Sequence, residues 1–213
     1  MVSSAFMARL KRELEMLETE PPPGVSVWPK GDAVDLLRAV IRGSMDTPYR
    51  DGFFHLEISV SSRYPFEPPR VRFLTPIYHP NIDSSGRICL NILNMPPKGG
   101  WKPALNLSTV LGSIQLLLSE PNPDDALMVE ISEQFVRKRE LFDKIARELT
   151  LSHAQNEVLP DSESMPTDQL KWKPGSPSSS KPQTQMEEDE DDDGYHGYSR
   201  KKRRVGLSES SSL

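Results

Sequence analysis

The stretch His79-Pro80-Asn81-Ile82-Asp83-Ser84-Ser85-Gly86-Arg87-Ile88-Cys89-Leu90-Asn91 holds the only cysteine of the 213-residue chain, eight positions after Asn81. A thiol protease would need a histidine within hydrogen-bond reach of that sulfur. The chain has histidines at 55, 79, 153 and 196. His79 stands in a proline-locked turn, and His55 falls in a strand pattern. The surroundings Gly86-Arg87-Ile88-Cys89-Leu90 do not match the local pattern of papain-like or caspase-like enzymes. With no local base and no helix N-terminus after it, the thiol is expected near its free pKa of roughly 8.5. Taken singly, Cys89 reads as a small buried hydrophobe and His79 as a turn residue.

Such a thiol is poor at attacking an amide, yet adequate for accepting an acyl group that is already a thioester. That exchange is close to energy-neutral. Later attack by an amine builds a negative oxygen at the acyl carbon, and one positioned donor there can be worth ~10²–10³ in rate. The Asn81 side-chain amide can supply it. An amine also starts protonated, so a carboxylate nearby helps orient and deprotonate it. Asp124 and Asp125 stand in a proline-rigid turn, Glu120-Pro121-Asn122-Pro123-Asp124-Asp125, that fits this role.

Composition narrows the setting. Residues 1–154 carry 18 Lys and Arg against 19 Asp and Glu, whereas 155–213 carry 8 against 12. A near-neutral core lacks the basic face of a nucleic-acid binder, so no direct nucleic-acid contact is expected. A lone cysteine excludes a disulfide framework and a multi-cysteine zinc site, so no metal is expected, and it fits a reducing compartment. The sequence shows neither a secretory leader nor a run of ~18 to 20 apolar residues, and no membrane association is expected.

Phe6, Leu10, Leu14 and Leu17 recur with a period near 3.6 and predict an N-terminal helix, ended by Pro21-Pro22-Pro23-Gly24. Arg9, Lys11, Arg12 and Glu13 are read as lying off that stripe, on a solvated face. Leu36–Ile41, Phe53–Val60 and Val71–Leu74 read as strands, with Asp51-Gly52 as the first hairpin turn. Tyr64-Pro65-Phe66-Glu67-Pro68-Pro69 interrupts the ladder. Ser108 is expected to cap a buried helix over 109–119, in which Gly112 costs about 1 kcal/mol relative to Ala. Amphipathic helices follow over 128–137 and 140–153. The fold class is therefore α+β, an antiparallel meander packed on helices. Residues 1–154 form the core, and 155–213, rich in Pro, Ser and charge, read as a disordered tail. Within that tail Lys201, Lys202, Arg203 and Arg204 resemble a nuclear import signal, which points to the nucleus.

Four motifs in order, YPFEPP (64–69), HPNIDSSGRICL (79–90), PPKGGWKPALN (96–106) and PNPDD (121–125), resemble the ubiquitin-conjugating enzymes over nearly all of residues 4–153. The wording of the third, and of SEPNPDDALM (119–128), is most similar to the T-type branch, which serves the Fanconi anaemia DNA-repair pathway. The resemblance implies a four-stranded antiparallel sheet with an N-terminal helix at one end. It implies that Cys89 carries ubiquitin as a thioester received from the activating enzyme. That enzyme uses the ATP, so no cofactor is expected here. Asn81 would stabilise the oxyanion or brace the loop. His79 and Pro80 would be structural, Asp125 would guide the incoming lysine, and Leu127 would line its approach. A RING-type ligase, by resemblance the Fanconi anaemia ligase subunit, would dock on Arg9, Arg12, Arg63, Phe66, Trp101, Pro103 and Ala104.

Three positions depart from the family pattern. Ala126 replaces a proline, which predicts a looser gate turn. Asn94 stands where the T-type has a lysine, so self-modification would be lost or shifted to Lys98. Lys102 replaces an arginine, which keeps charge and loses bidentate geometry. Two rival readings stay open: a conjugating enzyme for another ubiquitin-like modifier, and a noncatalytic binder of ubiquitin or a ligase.

Overall fold

The computed structural model describes residues 4–157. The tail beyond Glu157, including Lys201–Arg204, lies outside the described residues. Helix α1 (Ser4–Thr19) leads into strands β1 (Val25–Lys30), β2 (Ala33–Arg42), β3 (Phe53–Ser59) and β4 (Arg70–Phe73). Helices α2 (Leu107–Ser119), α3 (Val129–Arg137) and α4 (Arg139–His153) follow. The strands form one antiparallel meander in the order β1-β2-β3-β4. No described helix is long and apolar enough to cross a membrane.

Alternation decides which face of the sheet is buried. Leu37 pairs with Ile58, Ala39 with Leu56 and Ile41 with Phe54, and all six side chains are fully buried. Phe6, Leu10 and Leu17 of α1, Val110, Leu111 and Ile114 of α2, and Phe142 and Ala146 of α4 join them in one core. Burial of this apolar area, at about 25 cal/mol per Å², is the main force holding helices to sheet. On the other face Glu57 is the charge hub. Its carboxylate lies 3.0 Å from Arg38 Nη1, 3.6 Å from Lys30 Nζ and 2.8 Å from Arg72 Nη2.

The structure supplies one strand that periodicity did not mark and corrects three local expectations. Strand β1, the fourth that the resemblance implies, contains Pro29, which an edge strand tolerates because its missing N–H can face away from the ladder. Asp51-Gly52 is not a two-residue hairpin turn. Residues 43–52 form a longer connection, in which Asp51 takes φ 63° and the Gly43 amide donates to Gly52 O at 2.9 Å. Asn106, not Ser108, caps α2: its side chain accepts the Thr109 amide at 2.8 Å. Glu13 is not on the solvated face of α1 and is only 3% exposed. It sits three residues after Leu10 and four before Leu17, so it belongs to the buried stripe.

Candidate active site

His79 is fully buried. Its Nδ1 accepts the Asn81 backbone N–H at 3.0 Å, so the proton sits on Nε2, which donates to Leu117 O of α2 at 2.9 Å. Burial pulls its pKa down to about 4, against a smaller upward effect of the Leu117 carbonyl. Both ring nitrogens are thus committed to holding the turn, and neither is available as a base.

Pro80 and Asn81 tie this turn to the acidic one at 120–125 and the residues just after it. Pro80 O accepts the Leu127 and Met128 amides, both at 3.0 Å. The Asn81 side chain is fully buried. Its Nδ2 donates to Asn122 O at 2.7 Å and to Asp125 O at 2.9 Å, while its Oδ1 accepts the Asn122 N–H at 2.9 Å. The Asn81 carbonyl accepts the Cys89 amide at 2.8 Å. One asparagine therefore holds the cysteine segment by its backbone and the acidic turn by its side chain.

The chain reaches Cys89 through a tight turn at 83–87. Asp83 Oδ1 accepts the amides of Ser85 (2.9 Å) and Arg87 (3.0 Å). Gly86 takes φ 83°, and a Cβ there would fall 2.0 Å from Phe73 O, so only glycine fits. Cys89 is half-buried beside Asp125, and its thiol donates to Asp125 Oδ2 at 3.1 Å. Burial and then the Asp125 carboxylate push the thiol pKa up to about 11. This corrects the expectation of an unperturbed thiol: the missing influences were burial in the folded chain and then a carboxylate 36 residues away.

Asp125 ends a short 3₁₀ turn, Pro123–Asp125, capped by Asn122 Oδ1, which accepts the Asp124 N–H at 3.1 Å. Ala126 follows with φ −79°. With alanine rather than proline at 126, the turn is held by side-chain hydrogen bonds of Asn81 and Asn122.

The residues expected to meet a ligase divide into two groups. Arg12, Arg63, Phe66, Pro103 and Ala104 are exposed, and Phe66 shows 69% of its surface. Trp101 is buried at 2%, and its indole N–H donates to Pro65 O at 2.8 Å. It braces the two loops from beneath and cannot itself be touched by a partner, which corrects its assignment as a direct contact. Arg9 is turned partly inward, paired with Glu13 and donating to Leu105 O at 2.9 Å. Asn94 donates its side-chain amide to Leu90 O at 3.1 Å, and Lys98 and Lys102 are exposed. Sequence reading missed Glu13 and Asn122; the 3-and-4 spacing of Glu13 from Leu10 and Leu17 was the available signal. Among the described residues no three His, Cys, Asp or Glu side chains gather as a metal site would require.

The family model for ubiquitin-conjugating enzymes matches residues 9–150, a span that contains the whole arrangement just described. The chain belongs to the ubiquitin-conjugating enzyme family. It is 59% identical over 158 residues to ubiquitin-conjugating enzyme E2 T of Homo sapiens, covering 74% of this chain and 80% of that protein. It is 62% identical over 148 residues to E2 T of Xenopus laevis, covering 70% and 77%. It is 44% identical over 147 residues to ubiquitin-conjugating enzyme E2 13 of Saccharomyces cerevisiae, covering 69% and 94%. This ubiquitin-conjugating enzyme is thus a transferase similar to the T-type, as its loop motifs implied.

Proposed function

We propose that Cys89 receives ubiquitin as a thioester from the activating enzyme and passes it, with a RING-type ligase, to a substrate lysine. In the first step the Cys89 sulfur attacks the thioester carbonyl, and the activating enzyme's sulfur leaves and is protonated. In the second a lysine amine attacks the same carbonyl carbon, the C–S bond breaks, and Cys89 recovers a proton. The observation that carries this reading is the Cys89–Asp125 contact at 3.1 Å. Before charging, Asp125 Oδ2 accepts the S–H; once the sulfur is acylated that hydrogen is gone, and the carboxylate is free to receive an ammonium. Asp125 then guides and deprotonates the amine, with Leu127 lining its approach. His79 and Pro80 hold the turn. Asn81 braces both segments, and serving the oxyanion would require it to release one of its two carbonyls. No cofactor is needed, since the activating enzyme consumes the ATP.

The likeness to the T-type supports a finer role: monoubiquitination in interstrand-crosslink repair, with the Fanconi anaemia ligase subunit as partner. The ligase would meet Arg12, Arg63, Phe66, Pro103 and Ala104, with Arg9 and Trp101 supporting that surface. The basic cluster Lys201–Arg204 supports a nuclear location.

The test is to incubate the protein with activating enzyme, ATP and ubiquitin and to resolve it with and without reductant. A reducible adduct of one ubiquitin mass, absent in Cys89→Ala, is expected. An adduct formed only with another ubiquitin-like modifier would replace ubiquitin as the cargo, and no adduct with any modifier would leave a binding protein. For the finer role, cells lacking the protein should be sensitive to DNA crosslinkers and rescued by the intact chain but not by Cys89→Ala.

A further inference from the structure

Glu13 is a buried acid that the transfer chemistry does not use. Its carboxylate meets donors from three separate parts of the chain. Oε2 accepts the amide of Leu107, the first residue of α2, at 2.8 Å. Tyr64, in the loop between β3 and β4, donates its hydroxyl to the two oxygens at 2.7 and 2.9 Å. Arg9, one turn earlier in α1, pairs with Oε1. The same Arg9 reaches Leu105 O at 2.9 Å and Pro103 O at 3.5 Å in the loop before α2. The ring of Trp101 lies 5.9 Å from that of Tyr64, and its N–H bonds Pro65 O at 2.8 Å.

The carboxylate thus joins α1, the 61–69 loop and the start of α2, and through Arg9 it also holds the 96–106 loop. Helix α1 and these two loops present the exposed docking side chains Arg12, Arg63, Phe66, Pro103 and Ala104. A bond to the first amide of α2 also lets the helix dipole favour the negative charge there. We infer that Glu13 is a positioning residue for ligase docking, fixing the spacing of the two loops and α1 while touching no partner itself. This inference rests on the docking surface proposed above. Replacing one carboxylate oxygen by an NH₂ puts a donor where only donors arrive, so Glu13→Gln should loosen the spacing at little cost in volume.

The test uses the full chain, charged with ubiquitin, and a RING-domain ligase chosen because it accelerates discharge of the unsubstituted protein to free lysine. Discharge is followed against ligase concentration for Glu13→Gln, Tyr64→Phe and Phe66→Ala, with melting temperatures measured alongside. For Glu13→Gln the half-saturating ligase concentration should rise about tenfold, with the rate at saturation retained, as expected of a disturbed docking surface. Tyr64→Phe should move the same quantity in the same direction by less. An unchanged half-saturating concentration in both, or parallel losses at every ligase concentration including zero, would reduce Glu13 to a stabilising residue. If Glu13→Gln does not fold, Tyr64→Phe alone decides by the same readout. Should Phe66→Ala also leave ligase saturation unchanged, the docking surface itself is wrong; if Phe66→Ala weakens it and Glu13→Gln does not, only the positioning role fails.

Discussion

The Cys89 thiol donates a hydrogen bond to Asp125 Oδ2 at 3.1 Å, so burial and the facing carboxylate together hold it protonated. Burial and that carboxylate push its pKa to about 11, leaving little thiolate near neutral pH. Asp125→Ala removes the second cause and leaves the first. The expected result is alkylation by iodoacetamide at pH 8 that is about tenfold faster than in the parent, one pKa unit being tenfold in thiolate. Equal rates in the two proteins would show that the carboxylate does not govern the thiol.

His79 makes folding sensitive to acid. Its folded-state pKa is about 4, below the ordinary histidine value, because burial disfavours the cation. The unfolded chain therefore binds the proton first as pH falls. The associated stability is complete above about pH 6.5 and declines toward pH 4, by roughly 3 kcal/mol in total at about 1.4 kcal/mol per unit. His55, buried with its pKa also lowered by burial, acts in the same sense. Urea unfolding between pH 7 and 4.5 measures the slope, and NMR of the imidazole tests its origin. A His79 resonance titrating near 6.5 in the folded protein would contradict this account.

For Asn81 the outcome depends on whether it braces or catalyses. Asn81→Ala strands the Asn122 amide and the Asn122 and Asp125 carbonyls. A loss of about 2–4 kcal/mol is expected from these unpaired groups, together with slower lysine discharge. A purely oxyanion role predicts slow discharge with unchanged stability, and the two are separated by running both measurements on one variant.

Gly112 lies inside α2, and a Cβ added there meets nothing within 4 Å. Its substitution by alanine should stabilise the fold by about 1 kcal/mol, because alanine loses less backbone freedom in a helix. Thermal or denaturant unfolding reads this directly; a lowered midpoint would mean that the space is not open.

Three of the four strands, the helices and the four motifs could be read from periodicity and spacing, because each is carried by residues close in sequence. What could not be read depends on long-range approach. Asp125 comes to Cys89 because Pro80 and Asn81 tie the two segments, and burial together with that carboxylate moves the thiol away from its free value. The resemblance put Trp101 on the docking surface, yet its indole N–H bonds Pro65 O and its ring packs on Tyr64, contacts that span more than 30 residues of sequence. Glu13 read as solvent-facing because charge usually is; its partners Tyr64 and Leu107 are 51 and 94 residues away.

The edges of the sheet bear on how the protein behaves at high concentration. An unpaired strand edge is a template for another chain. Here β1 ends in exposed Pro29 and Lys30, and β4 is four residues long with exposed Arg70 and Arg72. Proline offers no N–H to a visiting strand, and two arginines resist a second copy of themselves. The Phe73 amide also donates to Gly86 O at 2.9 Å beside an Arg72–Arg87 bridge, so part of the outer edge of β4 is already occupied, and among the described residues the sheet stops at four.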